Sequence, residues 1–240
     1  MNINIIDANC LVGHWPFRKL YKNTFEKLLT THKKNDIGYG FVSSIESIFY
    51  NDPAEGDADL LELIKDTPYR MIATINPLLP YERDPKYSGV KLFPTFHKYK
   101  LSEQNLNFNV PVFISARMNH EREDYYIFTP PTIDVEDVAK FIFLHPETTF
   151  VLLTFTEQEL NTPSLKNVIT GRDNVYFDIS WLRYTFVENL VATFGAERMV
   201  YGSLHPMLCL ESTLTTLLKA DISAEQLNSI LYKNALKIIK

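Results

Sequence analysis

The sequence contains little that would mark a secreted, disulfide-bonded or membrane-bound protein. Its 240 residues include only two cysteines, Cys10 and Cys209, which are too few for a disulfide framework and too far apart for a paired metal motif. No stretch approaches the roughly 18 apolar residues that a membrane span requires, and the first residues lack the basic and apolar regions of a signal peptide. We therefore expect a cytoplasmic protein in a reducing compartment, without a membrane partner.

A basic excess is also absent from the chain. It has 24 lysines and arginines against 29 acidic residues, so its formal net charge is −5. This balance argues against non-specific binding of nucleic acids or anionic membranes. We therefore expect a small molecule as the partner, with no nucleic acid, while a homodimer is expected only because dimers are the commonest oligomers.

A regular alternation of strand and helix patterns is what the sequence does contain. The predicted strands cover residues 3–7, 38–43, 71–76, 89–93, 110–115, 149–154, 174–180 and 199–203. Most of them are continuous apolar runs, which are typical of parallel strands buried on both faces.

The segments between these strands have helical spacing. Residues 25–32 and 187–194 each carry apolar residues on one helical face, and Gly195 follows the second stripe as a C-terminal cap. Residues 223–226 have the pattern of a capping box. Residues 82–87 have a weak helical signal, which predicts a loop or a single turn.

Eight strand–helix units predict one α/β domain over residues 1–240, a single (β/α)8 TIM barrel. The alternative is an open sheet of the Rossmann or flavodoxin type. It lacks support because no Gly-rich phosphate turn follows the first strand.

Functional residues of such a barrel lie at the C-terminal ends of its strands. Those ends are polar and charged here, so we expect an open, useful pocket rather than a mouth filled with apolar residues. The set comprises Asp7, Asn9, Cys10, Glu46, Asn76, Lys91, Ser115, Arg117, Thr154, Asp178, Ser180, Ser203 and His205.

Five segments, in the right order and spacing, resemble the amidohydrolase superfamily in its amidohydrolase-related, metal-dependent hydrolase-like branch. They are IDANCLVG (6–13), GVKLFP (89–94), VPVFIS (110–115), NVYFDIS (174–180) and FGAERMVYGS (194–203). The branch pattern for the first segment is Asp-x-His-x-His-x-Gly, whose histidines bind the metal. The resemblance implies a TIM barrel with a hydrolytic site at its C-terminal mouth.

The departures from that pattern fall on the metal ligands. Asn9 and Leu11 stand for the two histidines of the first strand, Ser115 for the histidine of the fifth, and Thr154 or a neighbour for that of the sixth. Leu204 replaces the aspartate that follows Gly-Ser on the eighth strand. A catalytic zinc needs about three protein ligands. We therefore predict a degenerate metal site with no cofactor, or a single zinc or other divalent ion if a metal is present.

A narrower resemblance concerns an uncharacterised subgroup of the same branch. It rests on GHWPFR (13–18), SIESIFY (44–50) and Arg117-Met118 ahead of Glu121-Arg122. The subgroup also tends to carry Asn for the first histidine, which implies that relatives share the altered site.

Two residues are candidate proton carriers. Asp178 is a candidate general acid or base, or else a carboxylate held by hydrogen bonds. His205 could replace the lost aspartate, or it could simply hold its own loop by a hydrogen bond. Cys10 fits a small buried residue that points away from Asn9 better than a nucleophile.

Other residues are candidates for ligand binding. Arg117 and Lys91 could hold a carboxylate or phosphate, although Arg117 and Glu46 could also pair with each other. The remaining candidates for ligand binding are Asn9, His14, Trp15, Arg18, Glu46 and Ser115. His32, in a helical context, is expected to be exposed or to act as a cap.

Three functions stay open at this stage. The first is a metal-independent enzyme, hydrolase or lyase, that uses Asp178 and His205. The second is a non-catalytic binder of a small polar ligand. The third is a divalent-metal hydrolase with non-standard ligands drawn from Cys10, His14, Asp178 and His205.

Overall fold

The computed structural model describes residues 4–81, 86–106, 108–119 and 130–239. Its eight strands are parallel and form one sheet in sequence order, which confirms the predicted TIM barrel. The strands are β1 (Ile5–Val12), β2 (Ile37–Ser44), β3 (Arg70–Ile75), β4 (Gly89–Leu92), β5 (Val112–Ser115), β6 (Phe150–Leu153), β7 (Val175–Asp178) and β8 (Met199–Val200).

The segment after β8 joins the last strand to the first. Ala8 N–H donates to Tyr201 O at 2.8 Å, and Leu204 N–H donates to Asn9 O at 2.7 Å. Cys10 and His205 form a parallel bridge at the same seam. These bonds close the barrel and hold residues 201–205 beside β1.

Helices surround the barrel and follow the sequence signals that predict them. Gly195 adopts a φ of +84° at the end of α7, and Ser223 forms both bonds of the predicted capping box. The helices are α1 (Phe25–Lys34), α2 (Pro53–Ile64), α3 (Pro94–His97), α4 (Val135–Leu144), α5 (Glu157–Leu160), α6 (Pro163–Thr170), α7 (Tyr184–Phe194), α8 (Leu210–Leu218), α9 (Ala224–Asn228) and α10 (Asn234–Ile238). A π-helical turn (Ser229–Lys233) links the last two.

A β-bulge in β1 decides which of its side chains enter the barrel. Asp7 lies opposite Gly40 of β2, yet Cys10, three residues later, lies opposite Val42. The extra residue on β1 interrupts the strict alternation of side chains. Asn9 therefore points into the barrel, where it contacts β7, whereas Asp7 contacts α1 and Cys10 packs among the side chains outside the wall.

The barrel interior has three layers. The lowest is apolar and includes Ile6, Phe41 and Val151. Polar side chains from β1, β4 and β7 form the next layer, and a second apolar cluster lies beyond them, towards the C-terminal ends of the strands. Each large apolar side chain buried in these layers contributes roughly 1.5–3 kcal/mol.

Parts of two sequence-based predictions lie outside the described residues, namely the turn at residues 82–85 and the positions of Glu121 and Arg122. Within the described part of the chain, no helix combines the length and the apolar character that crossing a membrane would need.

Candidate functional site

Three buried side chains form a hydrogen-bonded row across the barrel. Asn9 Nδ2 donates to Asp178 Oδ2 at 2.8 Å, and Lys91 Nζ donates to Asn9 Oδ1 at 2.8 Å. Each of the three residues is only 1% exposed. An amide suits the middle position because it is a donor and an acceptor at once. We call Asp178, Asn9 and Lys91 the polar triad.

Burial shifts the pKa of both charged members of the polar triad towards the neutral form. Desolvation raises the pKa of Asp178 to about 6, although hydrogen bonds from Ser180, Thr154 and Asn9 oppose the rise. Desolvation lowers the pKa of Lys91 to about 8, against the attraction of nearby acids, Asp178 first among them. The barrel interior therefore contains two groups that titrate near neutral pH.

Further hydrogen bonds fix the carboxylate of Asp178. Ser180 Oγ donates to its Oδ2 at 2.7 Å, and the Thr154 N–H donates to its Oδ1 at 2.8 Å. Thr154 reaches this position with a φ of +61°, and Leu204 has a φ of +51°. Such conformations are unusual for residues other than glycine and cost on the order of 1–3 kcal/mol each. Both strained residues lie at strand ends that face the mouth.

An apolar cluster covers the polar triad on the side of the barrel mouth. Leu11 lies on β1, Phe93 directly follows β4 and Leu204 lies in the segment after β8, and all three are fully buried. The cluster, which we call the mouth cluster, comprises Leu11, Trp15, Leu20, Ile45, Ile48, Phe93, Phe96, Met118, Leu204 and Met207. The expectation of a polar, open mouth is therefore wrong above the triad, because the polar residues are a buried layer beneath packed apolar side chains.

These side chains do not fit the metal that the family resemblance implies. The resemblance implies that Leu11 and Leu204 stand at two ligand positions, and neither side chain has a donor atom. Asn9 is already committed to Asp178 and Lys91, while Ser115 Oγ donates to Arg117 O at 3.2 Å. An amide and hydroxyls are poor zinc ligands compared with His, Cys or carboxylate groups. The donor set at the mouth therefore does not form a zinc site.

The two predicted proton carriers have separate partners. His205 Nε2 lies 3.0 Å from Lys22 O, and the His205 N–H donates to Ser203 Oγ at 3.0 Å. Burial lowers the pKa of His205. The charge of Asp7 opposes this shift, and that of His32 adds to it. These contacts agree with the alternative in which His205 holds its own loop by hydrogen bonds. They do not connect His205 with Asp178.

Arg117 and Glu46 do not pair with each other. Arg117 forms a two-nitrogen ion pair with Glu159 of α5, with Nη1 2.9 Å from Oε2, and lies 5.9 Å from the ring centre of Trp181. Glu46 Oε1 instead accepts the His14 N–H at 2.9 Å. The pairing of Arg117 with Glu46 considered from the sequence is therefore wrong, because Arg117 binds the carboxylate of Glu159 in the following β/α unit instead.

A cavity of about 660 Å³ lies against the loop between β1 and α1. Its wall includes three residues that the sequence singled out, His14, Trp15 and Arg18, together with Lys19 and Lys27. The other lining residues are Pro16, Phe17, Leu20, Tyr21 and Asn23, so no acidic side chain is among them. We call this space the loop cavity.

Two side chains of the loop cavity have notable polar groups. Arg18 Nη2 donates to Met207 O at 3.0 Å, which joins the loop to the segment after β8. Trp15 is 2% exposed and packs edge-on against Phe17, Phe49 and Phe96. Its indole Nε1–H has no hydrogen-bond partner among the described residues.

A second polar group lies outside the barrel wall, between β1 and α1. Asp7 Oδ2 lies 3.2 Å from His32 Nε2, and His32 Nδ1 lies 2.7 Å from Tyr69 Oη. Cys10 is beside them, and the ligand atoms of Asp7, Cys10 and His32 lie within 4.8 Å of one another. We call these three residues the outer cluster.

The sequence interpretation missed the outer cluster. It left His32 exposed or capping, whereas His32 is 1% exposed. It also did not anticipate the bulge that turns both Asp7 and Cys10 outward. The alternative ligand set of Cys10, His14, Asp178 and His205 does not assemble, because Cys10 faces the outside and Asp178 the inside of the barrel.

The sequence matches a family model, Amidohydro_2 (amidohydrolase), over residues 46–240. This chain therefore belongs to the amidohydrolase family, which confirms the family resemblance; four of the five segments lie within the matched residues. No curated protein matches the chain in sequence.

Solved structures of related fold cover nearly the whole chain. An uncharacterised TIM-barrel protein from Bordetella bronchiseptica is 15% identical with a TM-score of 0.71, covering 98% of both chains. A probable 2-pyrone-4,6-dicarboxylic acid hydrolase from Acinetobacter baumannii, with citric acid bound, is 11% identical with a TM-score of 0.66 and 99% of both chains covered. The 5-carboxyvanillate decarboxylase LigW from Sphingomonas paucimobilis gives the same three values. At these identities the likeness establishes the fold alone.

Proposed function

We propose that this protein is a cytoplasmic binder of a small anionic molecule, and that it holds a carboxylate or phosphate group in the loop cavity without a metal at the barrel mouth. The observation that carries the proposal is the charge of the cavity wall. Arg18, Lys19, Lys27 and His14 line it, and no acidic residue does. Its volume of about 660 Å³ is within the range of small-molecule sites.

The wall offers several kinds of hydrogen-bond donor to an anion. Guanidinium and ammonium groups bind carboxylate and phosphate by charge-assisted bonds. Trp15 also lines the cavity, and its indole Nε1–H has no hydrogen-bond partner among the described residues. Acidic ligands also occur among the structural neighbours, since the Acinetobacter hydrolase was crystallised with citric acid.

The mouth cluster favours binding over catalysis at the strand ends. The polar triad is buried beneath Leu11, Phe93 and Leu204, so a ligand in the loop cavity would not touch Asp178 or Lys91 unless these apolar side chains moved apart. A homodimer stays a prediction, and nothing in the proposed binding site requires one.

Titration calorimetry with citrate and with inorganic phosphate tests the proposal. The double variant Lys19→Gln, Lys27→Gln removes two charges from the cavity wall, so we expect affinity to fall about tenfold or more, equivalent to about 1.4 kcal/mol. The double variant Lys33→Gln, Lys34→Gln makes the same charge change at the end of α1 and should bind as the wild type does. Equal binding by the two double variants, or no binding of either anion by the wild type, would refute the proposal.

A metal-independent hydrolase or lyase is the second candidate. The observation in its favour is the pKa of about 6 for Asp178 beside a pKa of about 8 for Lys91, because active sites often hold acid–base groups near neutrality. Assays of hydrolysis and decarboxylation on aromatic carboxylic acids test it. Turnover by the wild type that disappears in Asp178→Asn, while citrate binding stays unchanged, would establish an enzyme.

A further inference from the structure

We infer that the outer cluster is a structural zinc site, formed by Asp7 and Cys10 of β1 and by His32 of α1. The three ligand atoms come from different side chains and lie within 4.8 Å of one another. Carboxylate, thiolate and imidazole are the groups that zinc binds in proteins. The site lies outside the barrel wall, away from the mouth where the family pattern places its metal.

Neighbouring groups orient the donor atoms as in metal sites. Asp7 Oδ1 accepts the N–H groups of Asn9 and Ser203 at 3.1 and 2.9 Å, while Oδ2 faces His32 and also accepts the Ser203 hydroxyl. The Tyr69 hydroxyl engages His32 Nδ1 at 2.7 Å, so His32 Nε2 is the nitrogen that faces Asp7. Metal-binding histidines usually have their second ring nitrogen held in this way.

The backbone is shaped to bring these donors together. In a regular strand, residues three apart point to opposite faces, but the bulge in β1 places Asp7 and Cys10 on the same side. Gly40 lies opposite Asp7 on β2. A Cβ atom at Gly40 would lie 3.1 Å from Cys10 Sγ and 2.7 Å from Asp7 O, so the absence of a side chain there leaves room around the thiol.

The charges also balance. Asp7 and Cys10 as carboxylate and thiolate, with a neutral His32, would neutralise Zn²⁺ in this buried site. Without a metal, the Cys10 S–H group donates to Phe41 O at 3.4 Å. Zinc binding replaces that S–H bond with a Zn–S bond, and the proton passes to solvent.

A metal here would stabilise the fold rather than catalyse. The Ser203 hydroxyl donates to Asp7 Oδ2 and accepts the His205 N–H, so it would support the site as a hydrogen-bond partner of the ligand Asp7. Ser203 belongs to the segment that closes the barrel against β1. Zinc would therefore join α1 to β1 beside the closure between the first and last strands, through three side chains that are at most 1% exposed.

Metal analysis of the wild-type protein is the first test. The protein is expressed with added zinc, purified without chelators and measured by elemental analysis, and a cobalt-loaded sample is prepared in the same way. We expect about one metal ion per chain and, for cobalt, a near-ultraviolet absorption band from the thiolate–metal bond. Absence of stoichiometric zinc together with absence of that band would mean that the cluster is only a hydrogen-bonded ion pair, and would overturn the proposal.

Variants then locate the ion. Cys10→Ser should abolish the cobalt band, whereas Cys209→Ser, which changes the exposed cysteine, should leave it intact. Tyr69→Phe keeps all three donors and should lower zinc affinity about tenfold. Asp178→Asn should retain the metal. A metal that survives Cys10→Ser but is lost in Asp178→Asn would lie in the barrel mouth and contradict the proposal.

Discussion

Asn9 of β1 donates to Asp178 of β7 at 2.8 Å, joining residues that lie 169 positions apart in the chain. The resemblance in the first strand implies a metal-binding histidine where this chain has Asn9. Here its amide links a carboxylate to the ammonium group of Lys91 instead. Hydrogen bonds to Asn9 thus connect the two charged side chains of the barrel interior, Asp178 and Lys91. This connection depends on Asn9.

Asn9→Leu should destabilise the protein strongly. The variant leaves Asp178 and Lys91 buried without the amide between them, and breaking such a buried polar arrangement typically costs about 3–5 kcal/mol. Urea unfolding measures the loss. Asn105→Leu, at an exposed position, should change the free energy of unfolding by about 0.5 kcal/mol or less. A similar small effect for Asn9→Leu would show that the triad does not contribute to stability.

The acid pH dependence of stability should reveal Asp178. Folding raises the pKa of its carboxyl from 3.8 to about 6, so the folded state binds more protons there than the unfolded state does. Its contribution is fully present below pH 3.8 and is lost as the pH rises through about 6. From pH 4 to 6.5 the wild type should therefore lose stability relative to Asp178→Asn, by about 2–3 kcal/mol.

Asp57 needs a control in that experiment, because burial raises the pKa of its carboxyl to about 7. Measuring Asp178→Asn in an Asp57→Asn background removes this overlapping titration. The quantity compared is the unfolding free energy of the Asp57→Asn protein with and without the Asp178→Asn substitution. If that difference stayed constant from pH 4 to 6.5, the raised pKa of Asp178 would be disproved.

Restoring the family aspartate on its own should not restore a metal site. Leu204→Asp places a carboxylate among Leu11, Phe93 and Met118 without a cationic partner, so we expect a loss of about 3–5 kcal/mol in unfolding free energy. Leu204→Met retains apolar volume and should cost less than about 1.5 kcal/mol. A stable Leu204→Asp protein that acquires zinc would show that the mouth still works as a metal site.

Arg117 should contribute to stability rather than to ligand binding. Its ion pair with Glu159 is mostly buried, with side-chain exposures of 18% and 14%. A double-mutant cycle of Arg117→Ala and Glu159→Gln should give a coupling energy of about 1–3 kcal/mol, while citrate affinity stays within twofold of the wild type. A coupling energy near zero, or loss of citrate binding in Arg117→Ala, would indicate that Arg117 binds the ligand rather than stabilising the fold.

The sequence was sufficient to predict the barrel because its signals are local and repeated. Apolar runs and helical stripes identify the parallel strands and surrounding helices, and the cap at Gly195 and the capping box at Ser223 occur where their residue types indicate. Strand ends were less accurate. β1 extends to Val12, well past the predicted end at residue 7.

The site could be predicted only in part because its contacts are distant in sequence. Asn9, Lys91 and Asp178 were each candidates, but nothing in the sequence shows that they bond to one another. Glu159, the partner of Arg117, lies 42 residues away. The bulge in β1 has no residue signature, so the outward position of Asp7 and its contact with His32 required the three-dimensional structure.

The central claim is that the barrel mouth holds no metal. A zinc-edge anomalous difference map from crystals of protein expressed with added zinc tests this claim most directly. We expect no peak inside the barrel mouth, where Leu11, Phe93 and Leu204 cover the polar triad. A peak within a metal-bonding distance of about 2.0–2.3 Å of Asp178 would contradict it, because it would show that the mouth retains the metal centre of its family.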